Sequence, residues 1–439
     1  MSHRSFDEAV RLLHARTNLE SLQTFSPQDM EGRFEPLRNI LTSLGNPERT
    51  YRTVHIAGTK GKGSTCVMLE AILREEGYHV GRFTSPHMYS FTERLMIDGI
   101  PCPPHEFTEL FFSVCGQIEP DILQSFTYFE LLTLLAFVYF SQQKVDVALF
   151  EVGLGGRLDA TNLCCPDVSV ITSISYDHMA QLGSTLTSIA AEKSGIIKSS
   201  VPVVTTVRHP EPQQVIRNRA KSLGSPLFVL NEHFLVHYDS SSASFRYVKN
   251  EKVTLDHLSL AMPGAHQIEN AAAAITAFLL LHREKKPLDT DKIRVGLQKA
   301  FIPLRIEFVR RNEESPTLIF DGAHNRASMR ALMETVEEMF PNRRLLLIFG
   351  ASLEKDVEGM FAEIGERFEH VFLTQASDSS RRFRPRDLRS MLHLPDARVT
   401  VLEDGKEALE QCLQMAASKD VVCVTGSLYL AAELRQYIL

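Results

Sequence analysis

No C-x-x-C pair occurs in this chain, and its seven cysteines are scattered apart from the adjacent Cys164 and Cys165. That spacing argues against a structural zinc site and against a disulfide framework, and it leads us to expect reduced thiols in a cytoplasm. No apolar run is long enough to span a bilayer, so no membrane partner is expected. The first residues, Ser2 to Leu19, mix charge with an amphipathic helix pattern and lack the apolar core of a signal peptide. Export is therefore not expected. Positive charge is also short: 47 Lys and Arg against 54 Asp and Glu give a formal net charge of −7. Such a balance offers no field for nucleic acid, and any bound anion must be held by local groups. Repeats and low-complexity tracts are missing as well.

What is present is the composition of an ordinary globular enzyme, 44% hydrophobic and 23% charged, in 439 residues, which is long enough for two domains. From residue 51 onward, short β-branched runs alternate with helical patterns, as in a mostly parallel sheet. Thr53 to Ala57, His79 to Thr84, Val145 to Glu151 and Val168 to Ile174 read as buried strands. A helix is predicted from Ser64, with Gly77 as its stop, and an alanine-rich helix over Ala271 to Leu281, ending at the charged stretch Arg283 to Lys286. The polar run Tyr238 to Asn250 reads as a solvated hairpin or insertion.

A second rhythm begins near Pro316. Thr317 to Phe320, Leu345 to Phe349, His370 to Thr374, Arg398 to Leu402 and Val421 to Thr425 read as strands, separated by helical patterns such as Ser328 to Met339 and Lys406 to Ala417. The expected fold class is α/β: a phosphate-loop domain with a mostly parallel sheet over 1–300, then a smaller Rossmann-like α/β domain over 301–439.

The segment Gly58 to Thr65, GTKGKGST, follows a predicted strand and opens a predicted helix. Gly58, Gly61 and Gly63 let backbone N–H groups approach phosphate oxygens, Lys62 can neutralise them, and Ser64 and Thr65 lie at a helix N-terminus, where the dipole favours anions. The strict G-x-x-x-x-G-K-[ST] pattern is not met, because position 56 is Ile and Gly63 separates Lys62 from the first hydroxyl. A turn that merely joins strand to helix is the plainer alternative, but so many glycines, lysines and hydroxyls in that setting favour a nucleotide.

The run VDVALFE ends in Glu151, at the strand end where ligands bind in open α/β sheets and where a carboxylate suits Mg²⁺. Asp177-His178 and Lys193 follow on successive segments. Taken singly, Glu151 could cap a helix, His178 could be a loop histidine and Lys193 a solvated lysine. Taken together, after a phosphate loop, they suggest one divalent-metal site.

At this point the blocks resemble the folylpolyglutamate synthase and dihydrofolate synthase family of the Mur-ligase superfamily. The matching blocks are GTKGKGST (58–65), TSPH (84–87) with Glu93-Arg94, TYFE (127–130), EVGLGGRLDATN (151–162), SYDHMAQLG (175–183) and AAEKSGI (190–196). PGAHQIEN (263–270), DGAHN (321–325) and TGSLYL (425–430) complete the series in family order. The resemblance implies an ATP-dependent ligase: ATP phosphorylates a substrate carboxylate, and the amine of L-glutamate displaces phosphate from the acyl phosphate. A bifunctional enzyme acting on dihydropteroate and on folates is expected, working as a monomer.

Carried over by resemblance, Gly61, Lys62, Gly63, Ser64, Asn270, Arg305 and Asp321 would contact ATP. Ser85, Glu151, His178 and a carbamylated Lys193 would ligate Mg²⁺, with room for a second cation. Lys62, Lys193 and His324 would serve catalysis. Thr127, Tyr128, Phe129 and Glu130 with Leu158, Asp159 and Ala160 would form the pterin side, with a contribution from Leu19 to Arg33. This chain departs from the family pattern at Leu304 (usually glycine), Arg326 (usually proline), Lys60 and Glu354, and the usual Pro-Arg-Ala element is not clear in Ser377 to Arg384. A leucine at 304 predicts backbone with φ below zero there. Two rivals remain at this point. A cell-wall Mur ligase would carry a further N-terminal domain, and only about fifty residues precede the first strand. A P-loop switch or motor would leave DGAHN and TGSLYL without a role.

Overall fold

The computed structural model describes residues 5–17, 32–239, 244–249, 253–282, 287–353, 355–377 and 382–439. They divide into two compact units, Met1–Ala261 with Gln267–Ala300, and Met262–His266 with Phe301–Leu439. Among the described residues no helix is long and apolar enough to cross a membrane.

In the first unit the apolar runs become strands β1 (Arg52–Ala57), β2 (Val80–Phe83), β5 (Val147–Glu151), β6 (Val168–Ile171), β7 (Val203–Thr205) and β8 (Leu227–Val229). A short hairpin, β3 (Leu95–Ile97) and β4 (Ile100–Pro101), lies between β2 and β5 in sequence. The sheet order is β4-β3-β2-β5-β1-β6-β7-β8, with the β2–β3 and β3–β4 pairings antiparallel and the others parallel. Every residue of β5 is buried, as expected of a central strand covered on both faces. The chain leaves β1 for β2 on one side and later places β6 on the other. The carboxyl end of β1 is therefore a topological switch point, the usual ligand position in such sheets.

Helix Lys62–Glu75 follows β1 and stops before Gly77 at φ +86°, starting two residues earlier than expected. Helix Tyr128–Gln142 has no counterpart among the expected elements. Thirteen of its 15 residues are buried, so it has no polar face to give a period. The alanine-rich helix spans Ala265–Leu281 and begins six residues before Ala271. Arg283 to Lys286 and nearly all of Leu19 to Arg33 lie outside the described residues. The hairpin expected over Tyr238 to Asn250 is β9 (Phe234–Asp239) with β10 (Ser244–Lys249), but it is not solvated throughout, since Phe245 and Tyr247 are buried; the unforeseen β11 (Val253–Leu258) completes a three-stranded antiparallel sheet.

The second unit holds a six-stranded sheet, ordered β12-β13-β17-β14-β15-β16. Its strands are β12 (Glu307–Val309), β13 (Thr317–Phe320), β14 (Leu345–Phe349), β15 (His370–Leu373), β16 (Val399–Val401) and β17 (Val421–Thr425). Only β12 runs antiparallel, and it is the strand the sequence pattern missed. Helices Arg326–Met339 and Gly405–Met415 match the expected ones to within two residues at each end. Arg326 occupies the first helical position and pairs with Glu363 at 2.7 Å, so the helix starts without the family's proline. Glu354 lies outside the described residues, as do 378–381 of the Ser377 to Arg384 stretch.

Candidate active site

The loop after β1 is fastened from beneath by the segment that follows β6. Thr59 donates its backbone N–H to the Ser173 carbonyl at 2.7 Å, and the Lys60 N–H reaches Ser173 Oγ at 3.0 Å. Thr172 Oγ1 donates to the Lys60 carbonyl at 2.7 Å. A Cβ at Gly58 would lie 1.8 Å from Thr172 Oγ1, and one at Gly61 2.2 Å from Asn270 Oδ1. Both positions are therefore closed to side chains, and Gly61 caps the helix in left-handed backbone at φ +87°.

Glu151, at the end of β5, is 5% exposed. Its Oε2 accepts the Ser85 N–H at 3.3 Å, its Oε1 lies 3.9 Å from Lys62 Nζ, and Gly63 lies close to the same carboxylate. Lys62 Nζ donates to the Gly58 carbonyl at 3.1 Å, and Lys193 Nζ donates to the same oxygen at 3.0 Å. Lys193 is not the solvated helix lysine of the plainer reading but is 5% exposed. Burial, then the neighbouring Lys62, pulls its amine down to about 7.

His178 sits in left-handed backbone at φ +49°, its ring about half exposed and its Nε2 3.8 Å from Asp177 Oδ1. Asp177 in turn accepts from Lys60 Nζ at 3.2 Å, which ties the His178 segment to the phosphate loop. The structure thus gathers Gly61 to Ser64, Ser85, Glu151, Lys193 and Asn270 around one strand end, with His178 linked to them through Asp177. Among the described residues no group of three His, Cys, Asp or Glu side chains stands ready to hold a metal.

Of the pterin-side candidates, several are spent on structure. Thr127 and Glu130 form a capping box at the start of helix Tyr128–Gln142. Glu130 also takes Arg33 Nε on Oε1 at 2.6 Å and a second guanidinium nitrogen on Oε2, so its carboxylate is already engaged. Tyr128 is buried beneath the Arg94 guanidinium, 5.3 Å from its ring centre. Phe129 packs on Phe83, with 5.6 Å between ring centroids. Leu158 is half-buried, whereas Asp159 and Ala160 are buried. Asp159 accepts the Leu154 N–H at 2.9 Å, the Thr161 N–H at 3.0 Å and the Thr161 hydroxyl at 2.5 Å. Behind it, His55 Nε2 meets Thr161 Oγ1 at 2.8 Å inside the core. Sequence reading missed His55, since a strand histidine under a phosphate loop carries no motif of its own.

In the second unit Asp321 follows β13, 6% exposed, and accepts the N–H groups of Ile306 at 2.8 Å and Ala323 at 2.7 Å. Burial raises its carboxyl, and Arg305 together with those two N–H groups works against the rise. His324 places Nδ1 2.7 Å from the Gly322 carbonyl, which makes Nδ1–H the donor and leaves Nε2 as the basic nitrogen of the neutral ring. One expectation fails here. Leu304 adopts φ +60° and Ile306 φ +50°, so the chain keeps a glycine-like turn without the glycine. Each such residue costs on the order of 1–2 kcal/mol.

Two family models match. The Mur ligase middle domain matches residues 56–278, and the Mur ligase glutamate ligase domain matches residues 304–428. The Bacillus subtilis dihydrofolate synthase/folylpolyglutamate synthase is 35% identical over 408 residues, covering 91% of this chain and 93% of that protein. A Mycobacterium tuberculosis folylpolyglutamate synthase, solved with ADP and AMPPCP, superposes with a TM-score of 0.85 at 28% identity, covering 98% of each chain. An Escherichia coli protein solved with DHPP and ADP gives a TM-score of 0.84 at 29% identity, over 99% of this chain and 98% of that one.

Proposed function

We propose that this chain, which belongs to the Mur ligase family and within it to the dihydrofolate synthase/folylpolyglutamate synthases, uses ATP to join L-glutamate to dihydropteroate and to the γ-carboxylate of folates. The observation that carries the reading is the strand end where Lys62 and Lys193 share the Gly58 carbonyl and Glu151 lies 3.9 Å from Lys62. A carboxylate is a poor electrophile until it is phosphorylated. Attack by the glutamate amine on the acyl phosphate then gives a tetrahedral intermediate that expels phosphate and leaves an amide.

Phosphoryl transfer asks the protein mainly for positioning and charge neutralisation. Lys62 and the N–H groups of Gly61 to Ser64 supply both to the triphosphate, with Asn270, Arg305 and Asp321 as further ATP contacts. The Ser85 hydroxyl and the Glu151 carboxylate are hard oxygen donors, which fit Mg²⁺, and His178 would add a nitrogen. Bound there, Mg²⁺ would neutralise charge on the transferring phosphoryl group. Lys193 fits such a site as a carbamate, which exchanges an ammonium that would repel the cation for an anionic oxygen donor.

His324 is proposed to steady the acyl phosphate through Nε2. Phe129 and Leu158 to Ala160 offer the pterin face, while Thr127, Tyr128 and Glu130 hold the helix that carries Phe129. We read 1–300 as the domain that carries the phosphate loop and 301–439 as the glutamate ligase domain, in keeping with the two family matches. A monomer is part of the same reading, and the seven free cysteines suit a reducing compartment such as the cytoplasm. The test is an incubation with Mg-ATP, L-glutamate and either dihydropteroate or tetrahydrofolate. Phosphate release should depend on the pterin and accompany a new glutamyl product; release indifferent to every pterin would sink the assignment.

A further inference from the structure

Arg305 is half-buried and, among the described residues, makes no hydrogen bond or ion pair, though its charge acts on Asp321 and His266; the point from which its side chain starts is fixed by its backbone. That backbone is unusual. Leu304 and Ile306, on either side, both lie in the left-handed region, which L-residues avoid and β-branched residues avoid most. Such conformations persist only where the surroundings over-determine them.

Here the surroundings do so. The Glu307 carboxylate accepts the Leu304 N–H at 3.0 Å, the Leu304 carbonyl accepts from Gly322 at 2.9 Å, and Asp321 accepts the Ile306 N–H. Glu307 is itself 6% exposed, and Arg435 Nε, from helix Leu428–Ile438, donates to both of its oxygens at 2.8 and 2.7 Å. The Leu304 side chain is fully buried, so the turn cannot relax without exposing it. An ion pair with one partner buried and the other largely so is a poor way to gain stability compared with apolar packing, which points to a geometric purpose for this one.

We propose that Glu307 and Arg435 are positioning residues for the nucleotide: their ion pair holds the Leu304–Ile306 turn left-handed and so fixes the direction in which Arg305 is presented. The inference rests on Arg305 being an ATP contact. A glycine at 304 would adopt the left-handed conformation there unaided, whereas leucine needs the restraint from Glu307; Ile306 is held separately by Asp321.

The experiment is steady-state kinetics with ATP varied and the other substrates saturating. Glu307→Gln and Arg435→Met should each raise the KM for ATP about tenfold, with the KM for the pterin within about twofold of wild type. Arg435→Lys should fall between Arg435→Met and wild type, because it keeps the charge and loses the two-oxygen geometry. Adding Leu304→Gly to Glu307→Gln should return the KM for ATP to within about threefold of wild type, even where thermal melts show lower stability. Variants that lose stability yet keep the KM for ATP would overturn the inference, as would failure of the glycine to rescue. Arg305→Ala separates the two readings. An unchanged KM for ATP removes Arg305 as a contact, and the inference with it. A raised KM in Arg305→Ala alone leaves the contact standing and overturns only the role of Glu307 and Arg435.

Discussion

Lys62 and Lys193 donate to one and the same acceptor, the Gly58 carbonyl oxygen, at 3.1 and 3.0 Å. Burial, and after it repulsion from the neighbouring Lys62, brings the Lys193 amine down to about 7. A neutral amine can attack CO₂; the N–C bond forms, a proton leaves, and an anionic carbamate faces Lys62. Lys193→Ala should therefore lose about a hundredfold or more in turnover, with partial recovery on adding acetate or formate. Wild-type enzyme in CO₂-depleted buffer should slow, and bicarbonate should restore it. Full activity in the alanine variant would dismiss the carbamate.

The phosphate loop gives a sharper steric prediction. Gly61→Ala combines left-handed strain with a Cβ 2.2 Å from Asn270 Oδ1, so titration with Mg-ATP should show binding weakened by about tenfold or more. Gly77→Ala is the control. Its φ is just as positive, but nothing lies within 4 Å of the added carbon. It should lower stability by about 1 kcal/mol and leave ATP binding alone.

The chain His55–Thr161–Asp159 fixes a proton arrangement. The Thr161 hydroxyl has one proton, given to Asp159, so it must accept from His55 Nε2–H. Thr161→Val leaves both partners short in a buried place and should cost about 1–3 kcal/mol in urea unfolding. If Asp159 holds the Leu158 to Ala160 segment for the pterin, the same variant raises the KM for pterin and Thr161→Ser restores it. A pterin KM untouched by the valine would detach this chain of contacts from substrate binding.

Acid should find His55 as well. Burial holds its ring at about 3, against 6.5 in the unfolded chain. Between those values the unfolded state binds a proton that the folded state does not, so this contribution is intact above pH 6.5 and is lost as pH falls toward 3. Thermal melts from pH 7 to pH 4 should show a shallower decline in His55→Gln than in wild type. Equal slopes would refute the assignment.

The strands of the second unit were legible because short apolar runs followed within two residues by glycine leave few alternatives: Thr317–Phe320, Leu345–Phe349 and Val421–Thr425 fall where the pattern places them. The phosphate loop was legible for the same local reason. Helix Tyr128–Gln142 was not, because burial on every side erases helical periodicity. Glu130 illustrates a second limit. Its spacing from Thr127 is a local capping signal, but Arg33, which fills the rest of its carboxylate, is 97 residues away. Leu304 failed for a related reason: nothing adjacent to it announces Arg435, whose pair with Glu307 spans 128 residues.

Residues Met262–His266 belong with Phe301–Leu439, although stretches of the other unit precede and follow them in sequence. Gly264, at φ +112°, lies against Thr335, and burial, with Arg305 after it, depresses the His266 ring, so these five residues are part of that body's own packing. Helix Ala265–Leu281 consequently starts in one unit and continues in the other. A recombination that swapped everything beyond Ala300 for a relative's sequence would strand this short segment with its old lineage. Inheritance of the two halves as a single block is then the conservative route, because the junction in the gene and the junction in the packed protein do not coincide.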